Sequence, residues 1–355
     1  MKPQITKVEE EANVFKFTLN GINFSLANAL RRAIINDIDT VVLAESKCNI
    51  TTNTGRLHNE ILKHRLSCIP VHATELPEKY VLEINEKNQS DHIMMITTEH
   101  FKIKDKETGE LVENKRFFPP DIKTGDYIDF ARLRPAIGDV PGEELKLTCE
   151  FSNSNAGVNS AFNVVSKCAY GYTPDTEKAK EAWEHIENKM KANGASEEEI
   201  QYKKTDFYLL DAQRHYVKDS FDFVVETVGV FNNPDLVKKG CMVVQTKFET
   251  FLSKLEEQTV PIEPSVVTMN HSFDVILENE DYTLGKALEY YMYEHYYVKE
   301  NKLSFCAFKK LHPHDSSSRL RLAYTATVTE SNIQHDLKTA CRELREVYAD
   351  IYKMF

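Results

Sequence analysis

The chain has 355 residues, 41% of them hydrophobic and 28% charged, and a formal net charge of −11 at pH 7. This length allows about two or three domains, each with a hydrophobic core. The acidic balance disfavours nucleic acid as the main partner, because phosphate binding needs a basic surface. Without an apolar run of about 18 residues, the sequence predicts no membrane span.

The cysteines and the N-terminus bear on where the protein works. Seven cysteines are scattered along the chain without any C-x-x-C pair, and the first residues are too polar and acidic for a secretory signal. We therefore expect reduced thiols in an intracellular compartment and no cysteine zinc site.

Residues 1–45 are predicted to hold a short apolar strand, a polar turn and a helix. Ser25 is the expected N-cap of that helix, since its side-chain oxygen can accept from free backbone N–H groups. Leu26, Leu30 and Ile34 then recur at helical spacing, which predicts that they face a core.

The middle of the chain changes character twice. Residues 46–172 contain short strand-like runs between Gly, Pro and Asp turns, and they predict a β-rich insert domain with a helix at 57–66. Residues 173–204 predict a charged helical insertion. Within it, Ser196 and Glu199 form the pattern of a capping box.

The last third returns to the pattern of the first segment. Residues 205–258 resume it, and residues 259–267 are interpreted as an extended linker because of Pro261 and Pro264. Residues 268–355 then form a second half. These boundaries divide the chain into two similar halves, of which the first carries the insertions.

The strand and helix of the first segment recur near the end. VILENEDYTLGKALEYYMYEH (275–295) aligns without a gap on FTLNGINFSLANALRRAIIND (17–37), with identical residues at four positions. Thr283 takes the expected N-cap position of the second copy. The matching core positions of that helix are Leu284, Leu288 and Met292.

A second pair of segments supports the repeat. TVGVFNNPDLVKKGC (227–241) aligns on TVTESNIQHDLKTAC (327–341), and each leads into a long helix with a narrow apolar stripe. The stripes are Val237, Cys241, Val244, Phe248, Phe251 and Leu255, and Ile333, Leu337, Ala340, Leu344, Val347, Ile351 and Met354. Two copies of one unit predict packing about a pseudo-twofold axis. The alternative is two unrelated amphipathic helices on a common core.

Two groups of polar residues have a chemical alternative. Glu278, Glu280 and Asp281 could form an acidic site, but acidic residues just before a helix favour its cap and dipole. His312 and His314 lie in a predicted turn, which favours a structural role. The sequence contains no phosphate-binding loop and no nucleophile–base motif.

Arg31 and Arg32 are adjacent on the first repeat helix, so both cannot point into its apolar core. They form either a solvated face or an interface with a partner. Arginine suits an interface because its planar guanidinium binds carboxylates and backbone carbonyls.

The first half also carries motifs of a known family. It resembles the third-largest subunit of eukaryotic RNA polymerase II, the archaeal D subunit and the N-terminal domain of bacterial RNA polymerase α. The resemblance is carried by N-A-L-R-R (28–32), H-N-E (58–60), H-R-L-x-x-I-P (64–70) and blocks at 133–147, 159–172 and 223–230.

The end of the chain resembles a different subunit of the same enzyme. E-x-E-D-x-T-L-G-x-A-L (278–288), F-x-x-x-K-x-x-H-P (305–313) and the terminal helix are similar to the eleventh subunit of RNA polymerase II, or archaeal L. In that family the two are separate chains that pair. The resemblance therefore implies a fusion, like those of large nucleocytoplasmic DNA viruses. For a viral protein, this resemblance implies a location in the host cytoplasm or in the virion, with the nucleus as an alternative.

The resemblance implies an α+β fold in which two α-subunit-like dimerisation halves form an internal pseudo-dimer beside a β-rich insert domain. The first half comprises 1–45 and 205–258, and the second is 268–355. The implied function is a non-catalytic assembly platform, without cofactor, that binds the largest and second-largest RNA polymerase subunits and further small subunits. Nucleic acid is contacted only indirectly. The alternatives are a free-standing homo-oligomeric scaffold or an enzyme with an unrecognised active site.

The same resemblance assigns residues to two surfaces. The implied assembly interface consists of Asn28, Arg31, Arg32, His64 and Arg65. The implied core of the internal dimer consists of Leu26, Leu30, Ile34, Phe248, Leu284, Leu288, Met292 and Leu344. Many relatives hold zinc through a cysteine cluster in the insert. The cysteines here lack that spacing, so no metal role is expected.

Overall fold

A computed structural model describes residues 2–11, 13–72, 77–266 and 269–355. Val267 and Thr268, the end of the predicted linker and the start of the predicted second half, lie outside the described residues. The chain forms two compact units. The first unit comprises residues 1–32, 168–225 and 241–355, and the second comprises 33–167 and 226–240.

The helices follow the predicted order, which confirms the helix expected at 57–66 and the Ser196–Glu199 capping box. The α-helices are α1 (Phe24–Asn36), α2 (Asn59–Ser67), α3 (Thr176–Ala192), α4 (Glu197–Leu209), α5 (Asn233–Glu256), α6 (Tyr282–Met292) and α7 (Glu330–Tyr352). A π-helical segment, Tyr293–Lys299, continues α6. Among the described residues, no helix has the length and apolar character that crossing a membrane requires.

Runs of strands and runs of helices follow one another along the chain, and the strands pair in antiparallel sheets, which confirms the α+β class. The strands are β1 (Gln4–Glu11), β2 (Val14–Asn20), β3 (Thr40–Val42), β4 (Cys48–Asn53), β5 (Tyr80–Lys87), β6 (Met94–Thr97), β7 (Lys102–Asp105), β8 (Leu111–Val112), β9 (Asp129–Leu133), β10 (Glu144–Glu150), β11 (Ser152–Ser154), β12 (Val165–Pro174), β13 (Tyr216–Thr227), β14 (Ile262–Pro264), β15 (Ser272–Glu278), β16 (Leu303–Lys309) and β17 (Ser317–Tyr324).

Two four-stranded sheets have the same internal order. One runs β1-β2-β13-β12 and the other β14-β15-β17-β16. In each sheet the second strand leads into a repeat helix, α1 or α6, and the third leads into a long helix, α5 or α7. Part of the predicted linker is therefore a strand, because β14 pairs with β15. The repeated sequence thus corresponds to a repeated topology.

The residues that cap the two repeat helices differ from those predicted. Asp281 Oδ1 accepts from the Thr283 N–H at 2.9 Å, and Asn23 Oδ1 accepts from the Ser25 N–H at 2.9 Å. The prediction that Ser25 and Thr283 are N-caps was wrong by two residues. Short Asp and Asn side chains reach the N–H group two residues ahead, which leaves the hydroxyl residues inside the first turn.

The apolar stripes of the long helices are buried as predicted, with one exception. All six α5 positions are at most 5% exposed, and so are the six from Ile333 to Ile351 on α7. Met354 is 43% exposed, because α7 ends at Tyr352 and the helical spacing no longer applies. Phe355 packs instead against Phe17, with ring centroids 4.9 Å apart.

Helices α5 and α7 lie side by side and run in opposite directions. The Phe248 and Tyr348 rings stack with centroids 6.2 Å apart. At the exposed edge of this helix pair, Glu249 forms an ion pair with Arg345 and Glu256 forms one with Arg342, each with 3.4 Å between oxygen and nitrogen. Along the contact, the residue numbers increase in α5 while those of their partners in α7 decrease, which is the pattern of an antiparallel pair. Exposed ion pairs contribute little to the free energy of unfolding. The buried apolar stripes therefore supply most of the stabilisation of this helix pair.

The second unit is built on the antiparallel sheet β4-β10-β5-β7-β8. Its core combines strand residues such as Leu82 and Leu147 with Leu62 and Leu66 from α2. Strands β4 to β11 all lie in the stretch that the sequence predicts to be β-rich. The alternating apolar residues of these strands have one covered face, which is typical of an antiparallel sheet with a helix against it.

Close packing at Gly285 gives a stability prediction. A Cβ atom at this position of α6 would lie 2.0 Å from a ring carbon of buried Phe308. We expect Gly285→Ala to lower the free energy of unfolding by about 1–3 kcal/mol, because overpacking outweighs the better helix propensity of alanine. Urea denaturation measures the change. Gly171→Ala is the control, since its Cβ would meet nothing within 4 Å. A stabilised Gly285→Ala variant would contradict this packing.

Candidate functional site

Arg32 connects the two repeat helices of the first unit. Its Nε donates to Thr283 Oγ1 at 3.0 Å, and a terminal nitrogen of its guanidinium donates to the Asp281 carboxylate. The Arg32 side chain is 24% exposed. The arginine of the first copy therefore binds the N-cap residue of the second copy, and both charges are satisfied across that contact.

The same contact controls the ionisation of Asp281. Burial would raise the pKa of this carboxyl, but the Thr283 N–H and the Arg32 guanidinium favour the charged form and lower the pKa below its usual range. Asp281 is thus ionised at neutral pH. The prediction that acidic residues before this helix favour its cap is confirmed for Asp281, and the contact of Asp281 with Arg32 is an addition.

Arg31 has a different environment from Arg32. It is half-buried, and its Nε donates to Asn28 Oδ1 at 2.9 Å on the same helix. Burial raises the pKa of the Cys168 thiol to about 12, and the positive charge of Arg31 opposes that effect. Arg31 therefore lies close to β12, which also forms one wall of a groove in the first unit.

A groove of about 640 Å³ runs along this face of the first unit. Its walls come from α1, β12, α6, β16 and the π-helical segment. It is lined by Asn23, Phe24, Ser25, Asn28, Arg32, Tyr170, Tyr282, Lys286, Glu289, Tyr290, Tyr293, Glu294 and Cys306. Asn28 and Arg32, two of the predicted interface residues, lie in the groove.

Three aromatic side chains of the groove are exposed to solvent. Phe24 is 52% exposed, Tyr282 44% and Tyr293 42%. Tyr293 also stacks on Tyr297 with centroids 4.9 Å apart, which fixes its ring. Lys286 already pairs with Glu289 at 2.5 Å. Rigid aromatic side chains beside arginine have the composition of a protein–protein interface.

His64 and Arg65 belong to the second unit and are described there alone. Arg65 donates from Nε to the Phe130 carbonyl at 2.9 Å and from a terminal nitrogen to the Asp129 carbonyl at 3.0 Å. These bonds fasten α2 to β9. His64 is exposed, and its carbonyl accepts from Ser67 Oγ at 2.8 Å. No structural observation tests either residue as a partner contact, so both assignments stay predictions.

Sequence reasoning missed the aromatic residues of the groove. Phe24 and Tyr282 occupy equivalent positions in the two repeats, each just before a buried leucine pattern begins. An aromatic residue at the same non-core position of both copies was the signal that could have indicated a shared exposed face. In the described part of the chain, no cluster of three or more His, Cys, Asp or Glu residues could hold a metal ion.

The chain resembles known polymerase proteins over most of its length. Residues 16–248 match the model of the RNA polymerase Rpb3/Rpb11 dimerisation domain. The DNA-directed RNA polymerases I and III subunit RPAC1 of Bos taurus is 24% identical over 300 residues, covering 71% of this chain and 84% of that protein. The DNA-directed RNA polymerase subunit Rpo3 of Methanosphaera stadtmanae is 26% identical over 200 residues, covering 53% and 68% respectively.

A shorter stretch is more similar. The DNA-directed RNA polymerases I and III subunit rpac1 of Dictyostelium discoideum is 34% identical over 110 residues, which is 31% of each chain. Because the domain match spans well over half of the sequence, the chain belongs to the RNA polymerase Rpb3/Rpb11 dimerisation-domain family. It is an α-like RNA polymerase subunit, and the expected resemblance of its first half is confirmed.

The ion pair between Arg32 and Asp281 predicts a pH dependence. Asn keeps the capping oxygen but not the charge, so Asp281→Asn should lower the free energy of unfolding at pH 7. We expect about 1 kcal/mol, below the range of about 1.5–3 kcal/mol for a hydrogen bond to a charged group, because 36% of the Asp281 side chain is exposed. Because the pKa of Asp281 is lower in the folded than in the unfolded state, its charge stabilises the fold at pH values above the unfolded pKa. The stability difference between wild type and variant should therefore shrink below about pH 4.

Chemical denaturation of both proteins at several pH values measures this difference. Asp350→Asn is the control, since Asp350 forms an exposed pair with Lys353 on the surface of α7. A constant difference between wild type and Asp281→Asn down to acid pH would show that the charge of Asp281 contributes nothing.

Proposed function

We propose that this chain is a non-catalytic assembly platform of a multi-subunit DNA-dependent RNA polymerase, which docks the largest and second-largest subunits. Family membership supports a role in such an enzyme. The observation that carries the platform role is the aromatic groove beside Arg31 and Arg32, because it has interface chemistry and lies on the helix with the family motif N-A-L-R-R.

The platform is proposed to be an internal heterodimer. Its first half, residues 1–45 and 205–258, corresponds to the third-subunit class, and residues 268–355 correspond to the eleventh. Support comes from the matching strand orders of the two sheets. Further support comes from Arg32 and the antiparallel α5–α7 pair, which join the two halves within the first unit. The buried core proposed between the halves includes Leu26, Leu30, Phe248, Leu284, Leu288, Met292 and Leu344, each at most 1% exposed.

Ile34 is equally buried, but it belongs to the second unit and is proposed as a core residue from its helical spacing alone. The joining of the two classes in one chain, as in large nucleocytoplasmic DNA viruses, is part of this proposal. So are an intracellular site of action, contacts with further small subunits and the lack of a cofactor.

The two arginines have separate proposed roles. Arg32 already binds Asp281 and Thr283, so we assign it to holding the halves together. Arg31 has one bond to Asn28 on its own helix, which leaves its guanidinium suited to a partner carboxylate or backbone carbonyl. Asn28 positions that guanidinium. In the second unit, His64 and Arg65 are proposed as further contacts.

The docking role predicts a loss of assembly without a loss of folding. Arg31→Ala should weaken binding of the second-largest subunit by about 2–5 kcal/mol, a factor of roughly thirty or more, if Arg31 reaches a buried carboxylate. Its own free energy of unfolding should change by no more than about 0.5 kcal/mol. A pull-down from co-expressed subunits, with a melting curve of each variant, measures both effects.

Two further variants complete that experiment. Arg32→Ala should reduce stability as well as assembly, since it breaks the contact with Asp281. Arg345→Ala is the matched control, because Arg345 lies in an exposed pair on α7. Normal partner binding by Arg31→Ala would remove this residue from the interface. Self-association without any polymerase subunit would favour the homo-oligomeric scaffold instead.

The internal heterodimer makes a separate prediction. A protease site inserted between Gln258 and Thr259 would lie in an exposed turn after α5 and before β14. After cleavage, we expect the two pieces to elute together from a size-exclusion column at micromolar concentration, because the buried α5–α7 stripe remains intact. Separation of two folded pieces in native buffer would contradict the proposal.

A further inference from the structure

Two cysteines face each other across neighbouring strands of the second unit. Cys48 is the first residue of β4, and Cys149 lies next to the end of β10. The antiparallel register places Cys149 directly opposite Cys48. Directly opposed side chains project from the same face of a sheet with Cβ atoms about 4.5–5.5 Å apart. Small adjustments bring such a pair to disulfide geometry, whose Cα separation is about 4.4–6.8 Å.

The two cysteines are buried, but they lie at a strand end that can open locally, which allows their thiols to react. Cys48 is 5% exposed and Cys149 is fully buried, and both contribute to the apolar core. However, β4 is the edge strand of its sheet, and the two cysteines form the last register pair of the β4–β10 ladder. Strand ends at a sheet edge open locally at a small fraction of the global unfolding free energy. Brief opening would expose Cys48 to a small reagent.

The chemical environments of the two thiols differ. A hydrogen bond from the Cys149 thiol lowers the pKa of Cys48, and nearby Lys63 acts in the same direction against burial. The same hydrogen bond and burial raise the pKa of Cys149. Cys48 is the attacking group, because it lies on the edge strand and keeps some exposed surface, whereas Cys149 is fully buried on the inner strand. Only a thiolate attacks a disulfide, and the lowered pKa of Cys48 favours that form.

We propose that Cys48 and Cys149 are a reversible oxidation site, which forms a cross-strand disulfide with a low-molecular-weight disulfide as the oxidant. The crosslink fixes edge strand β4 to β10. This inference concerns the second unit only and does not depend on the proposed polymerase function.

The reaction balances with glutathione disulfide as the oxidant. The Cys48 thiolate attacks one sulfur of the oxidant, whose S–S bond breaks, and one glutathione thiolate leaves. Cys149 then gives its proton to that thiolate, and its sulfur attacks Cys48 in the mixed disulfide. The second glutathione leaves. Two electrons pass from the protein thiols to the oxidant, and excess glutathione reverses both steps.

The crosslink should have a measurable physical effect. It joins residues about 100 positions apart, so it restricts the unfolded chain strongly in the loop-entropy model. We expect the melting temperature of the second unit to rise by roughly 5–15 °C on oxidation. Amide hydrogen exchange in β4 should also slow, because the strand can no longer separate at its first residue.

The test uses the full chain carrying Cys68→Ser, since Cys68 is exposed and would react on its own. The folded protein is equilibrated in mixtures of glutathione and glutathione disulfide, quenched in acid, alkylated and digested. Mass spectrometry should find a peptide pair joined through Cys48 and Cys149 that has lost two hydrogen atoms. Its fraction should follow one two-electron transition.

Three substitutions in the same background make the result specific. Cys48→Ser and Cys149→Ser should each abolish the linked peptides and the rise in melting temperature. Cys168→Ser is the matched control, because Cys168 is also buried, and it should leave both effects unchanged. Full alkylation of both thiols at every redox ratio would overturn the proposal. So would a stable mixed disulfide at Cys48, or a crosslink that forms only in denaturant.

Discussion

The contact on which the first unit depends is the burial of Tyr348. This α7 residue has no exposed surface, its ring stacks on Phe248 of α5, and its hydroxyl donates to the Leu26 carbonyl of α1 at 2.9 Å. Burial raises its pKa well above the usual value, so the hydroxyl keeps the proton that it donates. One side chain therefore fixes the C-terminal helix against two helices of the first half. The polar group is satisfied, and the large ring contributes apolar burial.

Once α1 and α7 are fixed in this way, the placement of the charged residues follows. Arg32 reaches Asp281 and Thr283 because the start of α6 lies within the same unit. An arginine at a half-buried position is tolerable only when it is paired, since an unpaired charge there loses its hydration without compensation. The partner also caps α6, so one carboxylate satisfies both the helix end and the guanidinium.

The two repeats are not equivalent on the groove face. Phe24 and Tyr282 match in position and character, which is the part that the repeat preserves. Arg31 and Arg32 align instead with Glu289 and Tyr290, so one copy presents cations and the other a carboxylate and an aromatic ring. A homodimer would repeat the same groups on both sides of its axis. The two copies therefore present different chemical groups on the groove face, although their backbone topology is repeated.

The sequence by itself determined the local features. Helical and alternating periodicity indicated the α+β class and the buried stripes of α5 and α7, because side-chain direction follows directly from backbone repeat. The Ser196 capping box was equally local. Motifs such as N-A-L-R-R indicated the family. By contrast, the N-cap prediction failed because several polar residues stood close together at each helix start, and spacing alone cannot choose among them.

Only the tertiary structure decided which distant residues meet. Arg32 and Asp281 are 249 positions apart, and no periodicity connects them. The opposition of Cys48 and Cys149 depends on the pairing of β4 with β10 and on a bulge in that ladder, and a one-residue slip would put them on opposite faces. Phe355 packs on Phe17 beyond the end of α7, where helical spacing gives no information. The physical reason is common to all three: a pattern fixes the direction of a side chain, and packing chooses its partner.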